Sequence, residues 1–144
     1  MAGHRAAADF RAPRVGRVSE QVEQEAPEPE ALCDVAALAA EAAGAGVLWK
    51  HTAAGRQLDA NVVRLAPGAR VGLHAEPELD VLLLVAGGAG ALVSGSGRRT
   101  ELRPGVLVSL PRGSARSLEA GPEGVSYLTV HRRRPGMQIR RAGG

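Results

Sequence analysis

The sequence predicts an all-β domain of the barrel or jelly-roll kind, preceded by a charged arm and one short helix. Three observations carry this expectation. Short runs rich in Val and Leu recur along residues 47–132, and turns containing glycine or proline separate them at even intervals. That is the pattern an antiparallel β-barrel needs. Helical periodicity is confined to a single stretch ahead of these runs. The apolar run Val81–Val85 falls far short of the ~18 residues of a membrane span, and it reads as a strand buried on both faces.

Residues 1–28 read as a disordered arm. Arg5, Arg11, Arg14 and Arg17 form a basic half, Glu20, Glu23, Glu25, Glu28 and Glu30 an acidic half, and side chains large enough to pack are sparse. Such a segment cannot bury enough apolar surface to offset the entropy of ordering it. A solvated tail is preferred over a nucleic-acid or membrane arm. The helix is expected over residues 29–44. Leu32, Val35, Leu38 or Ala39, and Ala42 recur at helical spacing, Pro29 suits the first turn and Gly44 stops the run. Its narrow, alanine-rich stripe would let it lie close against the barrel or a dimer partner.

The strands follow in order over residues 45–134. Val47–His51 is the first, a loop through Ala54, Gly55 and Arg56 follows, and Leu58–Leu65 is the second. Pro67-Gly68 is a turn signal. After Val81–Val85, the run Gly87-Gly88-Ala89-Gly90 reads as a flexible corner. Ala91–Ser94 and Thr100–Leu102 flank Gly95-Ser96-Gly97 as a hairpin. Val106–Leu110 is closed by Pro111-Arg112-Gly113, Ser114–Glu119 by Gly121-Pro122, and Val125–Arg132 ends the barrel. Pro135-Gly136 breaks the last strand and leaves residues 135–144 as a tail.

Composition narrows the classes. Phe10, Trp49 and Tyr127 are all the aromatics, so the core is built from Val, Leu and Ala. The single Cys33 excludes an internal disulfide and fits a reducing compartment. With no apolar stretch for a signal peptide, the expected location is cytoplasmic. The formal charge of +3 owes much to arginines near the C-terminus. Without interleaved aromatics or a recognition helix, they read as a solvated edge or as bridges between subunits, not as a nucleic-acid surface. There is no phosphate-binding loop, no dinucleotide glycine fingerprint and no Cys/His zinc spacing. Gly95-Ser96-Gly97 is not a nucleophile elbow, because no strand-to-helix step surrounds it. His4, His51 and His131 stand alone in the sequence. Tyr127 and His131 share strand parity with Val125, which would turn one or both into the barrel.

The candidate site lies just ahead of the run Val81–Val85. His74, Glu76, Glu78 and Asp80 recur at spacing two, so an extended chain would place them on one face. Ionisable groups set against a buried strand are costly unless paired or liganded.

The same segment resembles the first signature of the cupins, with Gly68, His74 and Gly87 in register. Gly105, Pro111 and Gly113 fit the second. Together the two motifs and their flanking strands cover about half of the chain. The resemblance implies a double-stranded β-helix barrel. Metal-binding cupins typically use three histidines and a glutamate. Here the first histidine is His74, the second histidine position is Glu76, the glutamate position is Asp80, the third histidine position is Arg116, and the final asparagine position is Ala120. An arginine stays protonated and cannot ligate a metal.

Two function classes follow. In the first, the chain is a small-molecule-binding or structural protein with no catalytic metal and no cofactor, whose ligand pocket is formed by His74, Glu76, Asp80, Arg116 and Tyr127. In the alternative, it is a metal-dependent oxygenase or isomerase that holds Fe, Mn or Zn with His74, Glu76 and Asp80. In the first reading Arg116 is expected to pair with Glu76 or Asp80, replacing the cation electrostatically. A homodimer is expected, as cupins often form one. No membrane partner is expected.

Overall fold

The computed structural model describes residues 26–41 and 43–134. The chain divides into two units, Met1–Glu30 and Ala31–Gly144. Of the first, residues 26–30 are described and carry neither helix nor strand. The expectations for the rest of the arm and for the tail at 135–144 fall outside the described residues. The second unit contains helix α1 (Val35–Glu41) and strands β1 (Gly46–Lys50), β2 (Leu58–Leu65), β3 (Arg70–Ala75), β4 (Val81–Ser94), β5 (Arg99–Leu102), β6 (Leu107–Leu110) and β7 (Ala115–Arg132).

The two longest strands, β4 and β7, run antiparallel from Val81↔His131 to Ser94↔Arg116, with shifts of register at Val85/Gly87 and Gly88/Gly90. These bulges bend the pair. Gly88 and Gly124 face one another there with φ of +69° and +80°, and a Cβ on Gly88 would stand 2.1 Å from the Gly124 carbonyl oxygen. Only glycine permits so close an approach of two backbones. On one side of the bend, β2 pairs with β7 and β6 with β4; on the other, β3 pairs with β7 and β5 with β4. β1 extends the first layer by pairing with β2.

The two layers share β4 and β7, and their inner faces pack on one another. The core joins Val81, Leu83, Val85, Leu110, Val125 and Tyr127 of the first layer to Leu92, Leu102 and Leu118 of the second. This is an all-β double-stranded β-helix, as expected.

Several expectations change in detail. Val81–Val85 is not buried on both faces: Val81, Leu83 and Val85 point into the core, whereas Leu82 is 49% exposed. The strand is antiparallel and one-sided, so it alternates. The segment Gly87–Gly90 is not a corner between strands but a bulged stretch inside β4. The two strands expected at Ser114–Glu119 and Val125–Arg132 are one continuous strand, β7.

The helix is shorter than the expected 29–44. Asp34 Oδ1 accepts the Ala37 amide at 3.0 Å, which makes Asp34 the cap and fixes the start at Val35 instead of Pro29. A seven-residue helix has little stability alone. It is held by packing on β4, where a Cβ on Gly87 would lie 3.0 Å from the Ala39 Cβ.

Candidate functional site

β3 brings the first motif against β7. His74 pairs across the ladder with Arg116, so the two side chains leave the sheet on the same face. Arg116 also faces Ser94 of β4. Beyond the ends of the strands the two motif loops are stitched together. The Gly113 amide donates to the Glu76 carbonyl at 2.7 Å, and the Arg112 amide donates to Asp80 Oδ1 at 2.8 Å. Gly113 has φ of +79°, a turn conformation that lets its amide point at the facing loop.

Each acidic or imidazole group of the predicted site already has a partner. The His74 Nδ1 lies 2.8 Å from the Gly72 carbonyl. A carbonyl only accepts, so this nitrogen carries a proton, and Nε2 has no partner among the described residues. Glu76 Oε1 accepts the Glu78 amide at 3.1 Å, and its Oε2 accepts from the Arg134 guanidinium at 2.7 Å. The Glu78 amide, then Arg134, hold the Glu76 carboxyl below its ordinary value, with the charges of Arg134 and Arg116 assisting against burial.

Arg134 was not anticipated. It reaches the site because the chain beyond β7 runs beside the entry to β2. The Arg133 amide donates to the Gln57 carbonyl at 2.8 Å and the Arg134 amide to Asp59 Oδ2 at 3.4 Å. Asp59 in turn is held below its ordinary value, chiefly by the Arg56 guanidinium at 2.8 Å. The one legible hint was the run Arg132-Arg133-Arg134, which reads equally well as a solvated edge.

The expected pairing of Arg116 with Glu76 or Asp80 is not made. Among the described residues no carboxylate lies within 4.0 Å of Arg116, and Glu76 is paired with Arg134 instead. Arg116 is only 7% exposed. Among the described residues its one hydrogen bond is a long one, 3.3 Å from Nη1 to the Ser114 carbonyl. Among the described residues only Ser126 Oγ is a fully buried side-chain polar atom without a partner.

The triad His74, Glu76 and Asp80 does not come together. Among the described residues no three His, Cys, Asp or Glu side chains are grouped so as to hold a metal ion. The Glu76 carboxylate is engaged by Arg134 and that of Asp80 by the Arg112 amide.

Tyr127 sits apart from this group, opposite Val63 and Val85 in the core of the first layer. Burial raises its phenol above the ordinary value of 10.0.

Two clefts open on the surface. One, of about 260 Å³, is lined by Glu78, Leu79, Asp80, Arg112 and Arg132 and adjoins the stitched loops. The other, of about 360 Å³, lies away from them between Arg70, Arg99, Glu101 and Glu119. It is larger, but its charges are already matched: Arg99 pairs with Glu101 and Glu119, and Arg70 with Glu119. No described helix is long and apolar enough to cross a membrane.

No family model matches the chain, and no curated protein does. Solved structures do. A sugar phosphate isomerase of the cupin superfamily from Silicibacter pomeroyi is 30% identical, with a TM-score of 0.50, over 56% of this chain and 53% of that one. The chain thus spans about half the length of that isomerase. A Bacillus halodurans protein superposes with a TM-score of 0.60 at 18% identity, covering 76% of this chain and 86% of that one. A double-stranded β-helix domain protein from Klebsiella pneumoniae reaches 0.55 at 18% identity, over 72% and 90%.

Proposed function

Starting from a chain with the cupin fold, we propose that it is a small-molecule-binding protein in which a guanidinium, not a metal ion, anchors the bound molecule. The observation that carries this reading is Arg116. A guanidinium has five N–H donors, and burying one with a single long hydrogen bond is costly unless something else completes it. Ser114 supplies one carbonyl. A bound molecule between the β3–β7 ladder and the stitched loops would supply the rest, with His74 Nε2 beside it.

A mutation separates this role from a structural one. Arg116→Met keeps most of the volume and removes the charge. Because Arg116 has no carboxylate partner among the described residues, the expected outcome is a stability change within about 1 kcal/mol, or a gain, since apolar replacements of poorly paired buried ions are often neutral or stabilising. Ligand-induced shifts in melting temperature, screened with a small-molecule set, should disappear at the same time. A loss of about 3 kcal/mol or more, as for breaking a buried ion pair, would assign Arg116 to the scaffold and overturn the reading.

The likeness to a sugar phosphate isomerase at 30% identity supports a second reading, an isomerase, which in this chain would hold a metal with His74, Glu76 and Asp80. The partners of Glu76 and Asp80 argue against it. Purified protein is expected to carry no stoichiometric Fe, Mn or Zn by elemental analysis. One equivalent that is lost on His74→Ala would favour the enzyme.

A further inference from the structure

We infer that the molecule held at this site carries a carboxylate or phosphate group, and that Arg134 prepares the site by neutralising Glu76 so that Arg116 stays free to receive the anion. The inference rests on the small-molecule reading above and adds the ligand class and the residue that sets it.

The charges explain the arrangement. Glu76 is the carboxylate whose pull reaches both guanidinia: Arg134 bonds it directly at 2.7 Å, and Arg116 acts on it only through its charge. The Glu76 side chain is 13% exposed, so it is the better shielded member of the pair with Arg134, whose side chain is 59% exposed. Its second oxygen is occupied by the Glu78 amide. With its oxygens so used, Glu76 has little reason to turn to Arg116, and the other nearby carboxylate, Asp80, is held by the Arg112 amide.

With Glu76 bonded to Arg134 and Asp80 to the Arg112 amide, Arg116 has no carboxylate within 4.0 Å among the described residues. A planar guanidinium without a carboxylate partner bonds a carboxylate or phosphate in a fork. Without Arg134, Glu76 would be the nearest anion available to Arg116 and would compete for it. Arg134 is therefore a positioning residue. It touches the protein's own carboxylate, not the bound molecule.

The test is isothermal titration of the full chain at constant ionic strength with inorganic phosphate, succinate and glucose. Phosphate or succinate is expected to bind and glucose not to, and whichever anion binds more tightly identifies the source of the charge. Arg134→Gln should weaken anion binding about fivefold, the size of one uncompensated charge a few ångströms away in a half-exposed site. Glu76→Gln should tighten it by a similar factor. The double variant should return to about the wild-type affinity, because it removes one charge of each sign. A purely structural ion pair would give the opposite pattern, with both single variants weakening binding alike.

Equal effects of the two single variants, or none, overturn the inference. So does binding of glucose as tight as that of the anions. If glucose binding is then lost in Arg116→Met, the small-molecule reading survives while the ligand class falls. If no small-molecule binding at all depends on Arg116, both fall.

Discussion

Glu76 and Asp59 are the residues through which the chain beyond β7 is tied back to the strands. Their partners set a pH dependence. Both carboxyls are held below their ordinary values of 4.5 and 3.8, Glu76 first by the Glu78 amide and Asp59 first by Arg56. A depressed carboxyl contributes stability that is complete above its unfolded value and is lost as pH falls through the folded one. Thermal melts are therefore expected to be flat from neutrality down to about pH 5 and to decline below it. Glu76→Gln and Asp59→Asn should each flatten part of that acid limb. A decline that begins above pH 6 would point to a histidine instead. At the basic end, Tyr127 is the sole tyrosine, so phenolate absorbance reads it alone.

Elements are decided by where glycine is required. β4 and β7 each look like two strands in the sequence, because Gly87–Gly90 and Gly121-Pro122 read as breaks. The structure runs both through as single bent strands, and the glycines serve the bend. Two substitutions separate strain from collision. Gly97 has φ of +86° but nothing within 4 Å of a Cβ, so Gly97→Ala should cost about 1 kcal/mol, from the backbone conformation alone. Gly88 has φ of +69° and would also drive a Cβ to 2.1 Å from the Gly124 carbonyl oxygen. Gly88→Ala should cost more than about 3 kcal/mol, because that oxygen can yield only by parting the two central strands. Denaturant melts of the two variants make the comparison, and equal costs would mean the bend is soft.

At the scale of the whole molecule, one core holds both layers. Leu83 of the first and Leu102 of the second are each 1% exposed and belong to the same cluster. Leu83→Ala and Leu102→Ala are each expected to cost about 2–5 kcal/mol and to unfold in one transition by both far-ultraviolet circular dichroism and Trp49 fluorescence. Separate transitions would show that the layers fold independently.

Much of this architecture was legible in the sequence because it rests on local chemistry. Alternating Val and Leu, turn glycines and the motif spacing placed the strands, the Gly95-Ser96-Gly97 hairpin and the approach of His74 to Arg116. What the sequence could not supply was the choice of partners. Glu76 had two guanidinia to choose from. Arg116 lies on the strand across from its neighbour His74, whereas Arg134 is 58 residues away from it in the chain. Ion pairing acts through space, and only the path of β7 alongside β2 carries Arg134 to the carboxylate. The same path decides that Arg116 is left over. Local pattern determined that this chain makes a two-layered β barrel with charged residues at one site; tertiary geometry alone decided which charge there has no ionic partner among the described residues.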